Sequence, residues 1–372
     1  MTERGSVDGR LVIGETVVPG RVDIADGRIE AVTQDPSLHG PILAPGFVDV
    51  HVHGWGGHDA MGGDADLDGM ARALLAHGVT TFLPTAVTSP LPTLTAFGRQ
   101  VRAWIPHAPS DGATPLGFNI EGPAISHEKK GAQNAAYIQD PGTIDEAALT
   151  EIGEGLRYMT VAPERDGALD LIRRLVARGA IPSLGHSNAT ATQANAGYDA
   201  GARTTTHLFN AMSGVDNHSP GLAVAALGRD DAYVELIADG LHVDASVWPM
   251  ILRTKPADRL LLVSDAIQLA GAGEGRFQIG DLEVEVRHGS CRLVSDGRLA
   301  GSVIALDTAV RNLVEAGIPL PRAVHAASAN PCDLLGWEDR GRIAAGCVAD
   351  LVELDDDLRV KRVMKAGQWV TQ

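Results

Sequence analysis

The chain has 372 residues, 44% of them hydrophobic and 21% charged, which suits a soluble protein with either one large domain and a small accessory domain or two medium domains. Its formal net charge of −16 argues against nucleic acid or an anionic membrane as a partner. A small anionic substrate is still compatible, because a bound metal ion can dominate the field locally. No N-terminal stretch combines a basic start with an apolar core, no run is long enough to span a membrane, and Cys291, Cys332 and Cys347 form no CxxC pair, so we expect a cytoplasmic protein.

Both ends of the chain show short alternating segments separated by turn residues. Near the N-terminus the predicted strands are 10–13, 15–18, 21–24 and 28–32, and Gly14, Pro19-Gly20 and Asp26-Gly27 mark the turns between them. The same texture returns at 341–343, 349–354, 360–363 and 369–370. We therefore expect residues 1–45 and 341–372 to pair into one small, discontinuous β-sandwich domain.

Residues 46–340 alternate instead between apolar strands and amphipathic helices. The predicted strands are 47–52, 80–86, 115–120, 158–162, 181–185, 203–207, 233–238 and 259–264. Predicted helices include 66–77, 168–178 and 189–200, with Asp66 as a cap of the first and Gly78 at its end. Eight strands alternating with helices predict an α/β fold, the (β/α)8 TIM barrel. A β-hairpin insertion near 276–301 is expected to shape the substrate pocket.

Six side chains that suit metal-assisted chemistry follow these apolar runs. They are His51, His53, Glu121, His186, His207 and Asp265. The C-terminal ends of barrel strands face one end of the barrel, where such enzymes carry their active sites. His51 and His53 are two residues apart on one strand, so both point to the same face. Imidazole and carboxylate ligands predict one or two divalent transition-metal ions, with Zn, Fe, Mn and Co all open.

Asp265 ends the most apolar run of the middle region, 260–264. A buried carboxylate is costly there unless it has a use. We expect a general base that takes a proton from metal-bound water and later returns it to the leaving group. Because a metal lowers the pKa of that water to about 7, hydroxide becomes available at neutral pH. Metal-assisted hydrolysis of an amide is the reaction class that this set predicts.

These residues resemble the amidohydrolase superfamily, whose first barrel strand carries a segment like 45–53 (PGFVDVHVH). Within it, the chain is most similar to the N-acetylglucosamine-6-phosphate deacetylases. The supporting segments run in that family's order across the barrel. They are 119–123 (NIEGP), 129–134 (KKGAQN), 185–187 (GHS), 206–212 (THLFNAM), 237–243 (IADGLHV) and 262–266 (LVSDA).

The resemblance implies that Glu121, His186 and His207 hold the principal metal and that His51 and His53 hold a second one. Asp265 matches the catalytic acid and base. Backbone N–H groups after His207 and the imidazole of His242 would receive the sugar phosphate. The products would be glucosamine 6-phosphate and acetate, and the family is typically homodimeric. Positions that match substrate-binding residues are Ala132, Gln133, Asn210, Ala211, His218, Asp239, His242, Leu299, Ala300 and Gly301.

Three features separate this chain from related amidohydrolases or from the usual deacetylase pattern. Its fourth strand segment, 158–164, lacks the lysine that bridges two metals in cyclic amidases, so Glu121 is the candidate bridge. His218 stands where the deacetylases commonly have a phosphate-binding arginine, and Gln133 replaces a usual histidine. Arginine is a permanent bidentate donor, whereas histidine is only partly charged at pH 7. Other substrates therefore stay open, namely N-acetylgalactosamine 6-phosphate or an unphosphorylated sugar. Two other functions also stay open: another amidohydrolase activity and a non-catalytic barrel.

Overall fold

A computed structural model describes residues 4–279 and 282–370. Its strands, in chain order, are β1 (Arg4–Ile13), β2 (Thr16–Ala25), β3 (Arg28–Gln34), β4 (Ile42–Pro45), β5 (Phe47–Val52), β6 (Gly54–Trp55), β7 (His58–Asp59), β8 (Val79–Ala86), β9 (Thr114–Pro115), β10 (Phe118–Ile120), β11 (Leu156–Val161), β12 (Ile181–Leu184), β13 (Thr204–Thr205), β14 (Tyr233–Leu236), β15 (Leu260–Leu262), β16 (Gly275–Ile279), β17 (Leu282–Arg287), β18 (Ser290–Leu293), β19 (Leu351–Leu354), β20 (Val360–Lys365) and β21 (Gln368–Val370). The α-helices are α1 (Asp64–Leu75), α2 (Leu91–Trp104), α3 (Glu146–Ile152), α4 (Ala168–Ala177), α5 (Ala191–Asp199), α6 (Leu222–Gly228), α7 (Trp248–Thr254), α8 (Leu306–Glu315), α9 (Leu320–Ala326) and α10 (Ala329–Leu335).

Strands from both chain ends join in one seven-stranded sheet, in the order β21-β20-β19-β4-β1-β2-β3. The sheet is curled, so that its two edges meet. The Gly27 turn between β2 and β3 contacts the Ala366 turn between β20 and β21, and a Cβ on Gly27 would lie 2.9 Å from the Ala366 carbonyl oxygen. Its separate small core draws on both chain ends, with members such as Leu11, Val22 and Met364. The predicted pairing of the two ends is confirmed, while the exact domain boundaries stay a prediction.

Two details of this sheet were predicted wrongly. The expected break at Pro19-Gly20 is absent, and β2 runs straight through it. Because β3 ends opposite Gly20, Pro19 sits where β2 has a partner strand on one side only, a position that tolerates proline. Residues 341–343 form no strand, since Gly341 has φ +71° and packs against the Ser328 carbonyl, where a Cβ would approach to 2.6 Å.

The middle of the chain forms a parallel sheet of eight barrel strands in the order β5-β8-β10-β11-β12-β13-β14-β15, with β9 as a side strand on β8. The (β/α)8 barrel is therefore confirmed. Helices α4 and α5 agree with the predictions to within two residues. The first helix begins at Asp64 after Gly63, so Asp66 lies in its first turn and does not cap it; it ends at Leu75, three residues before Gly78.

The antiparallel insertion predicted after the last barrel strand is present. Strands β16, β17 and β18 form a three-stranded antiparallel sheet. Val284 and Leu293 of this sheet pack with Ile267 and Ala300 in a small apolar cluster of their own. The insertion therefore rests on the loop that follows β15. In the described part of the chain, no helix is long and apolar enough to cross a membrane.

Candidate active site

The six side chains predicted for metal chemistry meet at the C-terminal end of the barrel strands, and all are buried. Glu121 lies at their centre. Its Oε1 is 2.9 Å from Nε2 of both His186 and His207, and its Oε2 is 3.3 Å from Nε2 of His53. Nε2 of His51 lies 3.5 Å from Glu121 Oε1 and 3.6 Å from Asp265 Oδ1. One carboxylate thus faces four imidazoles.

Three of these residues leave their strands in a left-handed backbone conformation. The φ angles are +47° at His186, +26° at His207 and +49° at Asp265. Residues other than glycine seldom adopt such angles, which cost of order 1–3 kcal/mol, and they cluster at functional sites. The turn at each strand end aims the side chain into the barrel mouth.

In three of the four histidines, a hydrogen bond behind the ring sets which nitrogen faces the centre. Nδ1 of His51 contacts Glu235 Oε2 at 3.1 Å, Nδ1 of His53 contacts the Thr85 carbonyl at 3.0 Å, and Nδ1 of His186 contacts the Lys129 carbonyl at 2.8 Å. A carbonyl or carboxylate oxygen requires a proton on Nδ1. The Nε2 lone pair of the neutral ring is therefore free for a cation, the usual arrangement around a metal-ligating histidine.

Glu235 is a member of this site that sequence reasoning missed. It is fully buried on β14, and besides His51 it accepts from the His207 backbone N–H at 3.0 Å and from the Tyr158 hydroxyl at 2.5 Å. One carboxylate thereby supports two of the histidines. The available signal was a charged residue inside the four-residue buried strand Tyr233–Leu236, where an unpaired carboxylate is costly.

The electrostatics of the cluster fit a divalent cation. Burial favours neutral imidazole, but the carboxylates of Glu235, Asp265 and Glu121 outweigh it and raise the pKa of His51 to about 9. Burial likewise opposes charge on His53, yet Asp265 and Glu121 raise its pKa to about 10. The carboxylates therefore stabilise positive charge in this site. Nε2 of His51 also has no hydrogen-bond partner among the described residues, although it is buried.

Ligand atoms sort into two groups that share Glu121. His51, His53 and Glu121 form one group, and Glu121, His186 and His207 form the other; within each group the atoms lie within 4.8 Å of one another. Each group offers two imidazoles and a carboxylate oxygen, a donor set suited to divalent transition metals. The residues present thus fit a metal centre, and a shared carboxylate allows two ions.

A cavity of about 690 Å³ opens over this centre. Eight of the ten positions predicted to bind substrate line it: Ala132, Gln133, Asn210, Ala211, His242, Leu299, Ala300 and Gly301. The other two do not. Asp239 instead holds His242, with its Oδ2 2.6 Å from Nδ1 of that ring. His218 is exposed on the loop after β13, and it is not among the described residues that line the cavity of its own chain.

Gln133 lines the cavity, but its amide already has partners. The Nε2 group donates to Oε2 of Glu121, and Oε1 accepts from the Thr88 backbone N–H at 2.8 Å. Thr88 in turn donates from its hydroxyl to the Glu121 carbonyl at 2.9 Å. Gln133 thus holds the shared carboxylate in place, a contact that its position in the sequence did not predict.

Comparison with known proteins agrees with this geometry. The model of the Amidohydrolase family matches residues 42–370. This chain belongs to the amidohydrolase family. A bovine N-acetylglucosamine-6-phosphate deacetylase is 38% identical over 376 residues, covering 96% of this amidohydrolase and 90% of the relative. An N-acetylgalactosamine-6-phosphate deacetylase from Escherichia coli O157:H7 is 36% identical over 353 residues, covering 93% of each chain.

One solved structure similar to this amidohydrolase holds a ligand. It is an aspartate-to-alanine mutant of the N-acetyl-D-glucosamine-6-phosphate deacetylase from Mycobacterium smegmatis, in complex with N-acetyl-D-glucosamine-6-phosphate. The two chains align over their full lengths, with 34% sequence identity and a TM-score of 0.91. The expected family membership is thereby confirmed.

Proposed function

We propose that this amidohydrolase removes the N-acetyl group of N-acetylglucosamine 6-phosphate by hydrolysis, giving glucosamine 6-phosphate and acetate. The observation that carries the proposal is the position of Asp265. Its Oδ1 lies 3.3 Å from Nε2 of His53 and 3.6 Å from Nε2 of His51, at the wall of the cavity. A carboxylate therefore stands beside the ligand cluster, where a water and an amide can meet it. The relatives that share this chain's length act on N-acetyl hexosamine phosphates, as their names state.

Two groups of residues would hold metal ions: His186 and His207 with Glu121, and His51 and His53 with Glu121. Zinc, iron, manganese and cobalt all suit these donors. A divalent ion bound there supplies Lewis acidity, which polarises the amide carbonyl and activates the attacking water near neutral pH.

Asp265 carries the proton transfers. Burial disfavours its charged form, but in the metal-free chain His51 and His53 hold the pKa of this carboxyl below its usual value, and a bound cation would favour the carboxylate in the same way. Asp265 takes a proton from the attacking water as the new C–O bond forms. It then delivers that proton to the amide nitrogen as the C–N bond breaks and the amine leaves.

The test is acetate release from N-acetylglucosamine 6-phosphate by metal-loaded protein, with Asp265→Asn as the inactive comparison. Metal-dependent turnover that falls at least a hundredfold in the variant is expected, which is the scale of general acid–base catalysis, about 10²–10⁴. Turnover that needs no metal, or full activity in Asp265→Asn, would contradict the proposal.

A second candidate substrate is N-acetylgalactosamine 6-phosphate, favoured by the relative from Escherichia coli at 36% identity. The two sugars differ only in the orientation of the C4 hydroxyl, so the same chemistry serves both. Comparing kcat/KM for the two phosphosugars and for their unphosphorylated forms decides between them. Because His218 replaces the usual arginine, the unphosphorylated sugars belong in the same panel.

We also propose a homodimer in the cytoplasm. Val215 is 63% exposed and Leu241 is 45% exposed, and both lie on loops beside the mouth of the barrel. His218 is on the same loop as Val215, so a partner subunit seated there would bring that ring toward a neighbouring active site. The three cysteines are buried and unpaired, which supports a reducing compartment. Sedimentation of the purified protein tests the oligomeric state.

A further inference from the structure

Arg298 places a cation at the rim of the active-site cavity. Of the arginine and lysine side chains that the structure describes, Arg298 and Lys129 line this cavity. Nη1 of Arg298 donates to the Gly131 carbonyl at 3.2 Å. This bond joins the segment after β18 to the loop that carries Lys129 and Lys130. Two separate loops therefore bring positive charge to one rim, in a chain whose formal net charge is −16.

The guanidinium of Arg298 is oriented but not saturated. Its Nε and Nη2 donate to Oδ2 of Asp296, Nε at 2.9 Å, and Nη1 donates to Gly131. A guanidinium has five N–H groups, and among the residues that the structure describes these three bonds leave two of them available. The side chain is 51% exposed, so a ligand in the cavity can reach it. Asp296 and Gly131 thus hold the fork in place and lower the entropy cost of binding an anion.

Gly131 also fixes which end of the cavity Arg298 serves. A Cβ on Gly131 would lie 3.4 Å from the Cβ of Ala211 and 3.1 Å from Cε1 of His186. Ala211 and Asn210 follow His207, and their backbone is the part of the loop expected to receive the substrate phosphate. Gly131 therefore lies between the Arg298 guanidinium and that loop, and it contacts both.

We propose that Arg298 of this chain binds the phosphate group of the substrate and so takes the role of the arginine that position 218 lacks. The inference rests on the proposed function and names the side chain that recognises its anionic group. A guanidinium suits this task because it offers a phosphate two parallel N–H groups and stays charged at every physiological pH. Lys129 adds a second, less directed positive charge at the same rim.

The experiment compares Arg298→Gln with Arg298→Lys in the metal-loaded enzyme, using N-acetylglucosamine 6-phosphate and N-acetylglucosamine. In Arg298→Gln we expect KM for the phosphosugar to rise at least about tenfold, since one charge-assisted hydrogen bond alone contributes about that much. The kcat value and the free-sugar kcat/KM should stay within twofold. Arg298→Lys should recover part of the loss, since it restores the charge without the fork. Increased salt should raise the phosphosugar KM of the wild type more than that of Arg298→Gln.

Arg276→Gln is the matched control. Arg276 lies on β16 of the same insertion, pairs with Glu285 at 3.2 Å and does not line the cavity, so this variant removes the same charge from the same segment. Its phosphosugar KM should stay within twofold of the wild type. An equal rise in Arg276→Gln would mean that general charge, not contact, is responsible, and would overturn the inference.

Binding of glucosamine 6-phosphate, measured by calorimetry, separates this inference from the proposed reaction because it needs no turnover. A Kd about tenfold weaker in Arg298→Gln, with glucosamine unaffected, supports the phosphate contact. An unchanged Kd, or the same loss for both ligands, overturns it. A wild type that binds glucosamine 6-phosphate through Arg298 but never releases acetate would contradict the proposed function alone.

Discussion

The backbone N–H of Asp265 donates to the carbonyl of His51 at 2.9 Å. This bond joins the end of the last barrel strand to the end of the first, and the next one along, from His53 N–H to the Ala266 carbonyl at 2.7 Å, continues it. The proposed acid and the histidine pair are thus held together by the backbone that closes the barrel. Their spacing is a property of the fold itself, not of flexible side chains.

Replacing Asp265 with asparagine should abolish catalysis while sparing the metal. The amide keeps the size of the side chain but cannot accept the proton, so kcat should fall about 10²–10⁴-fold. Metal content, measured by plasma mass spectrometry, should stay within a factor of two of the wild type, because Glu121 and the four histidines remain. Asp356→Asn removes the same charge from an 86% exposed side chain and should be fully active. Loss of metal from Asp265→Asn would show that this residue is mainly a ligand.

Replacing Glu235 with glutamine should weaken metal binding at the His51 side of the centre. The glutamine carbonyl can still accept one bond, but the negative charge that orients Nδ1–H of His51 is gone. Outer-shell changes of this kind typically cost 10- to 100-fold in affinity or activity. Titration of metal-free protein with Zn²⁺ should therefore show a weaker second equivalent.

Tyr158→Phe is the comparison for Glu235→Gln. It removes the hydroxyl that donates to Glu235 and leaves the carboxylate in place. Its effect on metal affinity should be several times smaller. Equal losses in both variants would indicate a general loosening of the barrel core, and no loss in either would show that Glu235 has only a structural role.

Metal binding to the metal-free protein should become tighter as pH rises. Protons compete with the metal for His51 and His53, whose pKa values in the folded, metal-free chain are about 9 and about 10. Both rings are therefore protonated at pH 7 and must release protons when the metal binds. Calorimetry in buffers of different ionisation enthalpy should detect this release, and the apparent affinity should increase between pH 6 and about 9. An affinity independent of pH would contradict protonated rings.

The raised pKa of His51 also makes the stability of the metal-free protein depend on pH. Because the folded pKa of His51 is raised above the ordinary value of 6.5, its contribution to stability is fully present below that pH. It is lost as pH rises toward about 9. Thermal unfolding after chelation should thus show Tm falling over this range, while the metal-loaded protein, whose rings hold the ion, should not follow it.

Introducing arginine at position 218 tests whether the loop after β13 serves a neighbouring subunit. His218 is exposed and stands off the cavity of its own chain. If a homodimer places it at the partner's phosphate site, His218→Arg should lower KM for the phosphosugar about three- to tenfold and leave the free sugar unchanged. His39→Arg adds the same charge away from the loop and is the control. An equal effect on both sugars, or none, would contradict a shared site.

Local sequence patterns were enough to predict the barrel, the order of its strands and the six residues at their ends. These predictions depend only on local patterns, namely apolar runs of strand length. Each run is followed by one of the polar residues His51, Glu121, His186, His207 and Asp265. Pro19-Gly20 is an exception: it has the local signature of a turn, but strand pairing overrides that signature, because β2 has a partner strand on one side only at that point.

Contacts between segments far apart in the chain could not be predicted in this way. The bond from His51 to Glu235 spans 184 residues, and that from Arg298 to Gly131 spans 167. No spacing rule reaches so far, since which side chains meet depends on how the strands are staggered around the barrel. The same reason explains why His218 matched a substrate-binding position in the sequence and yet lies outside the cavity of its own chain.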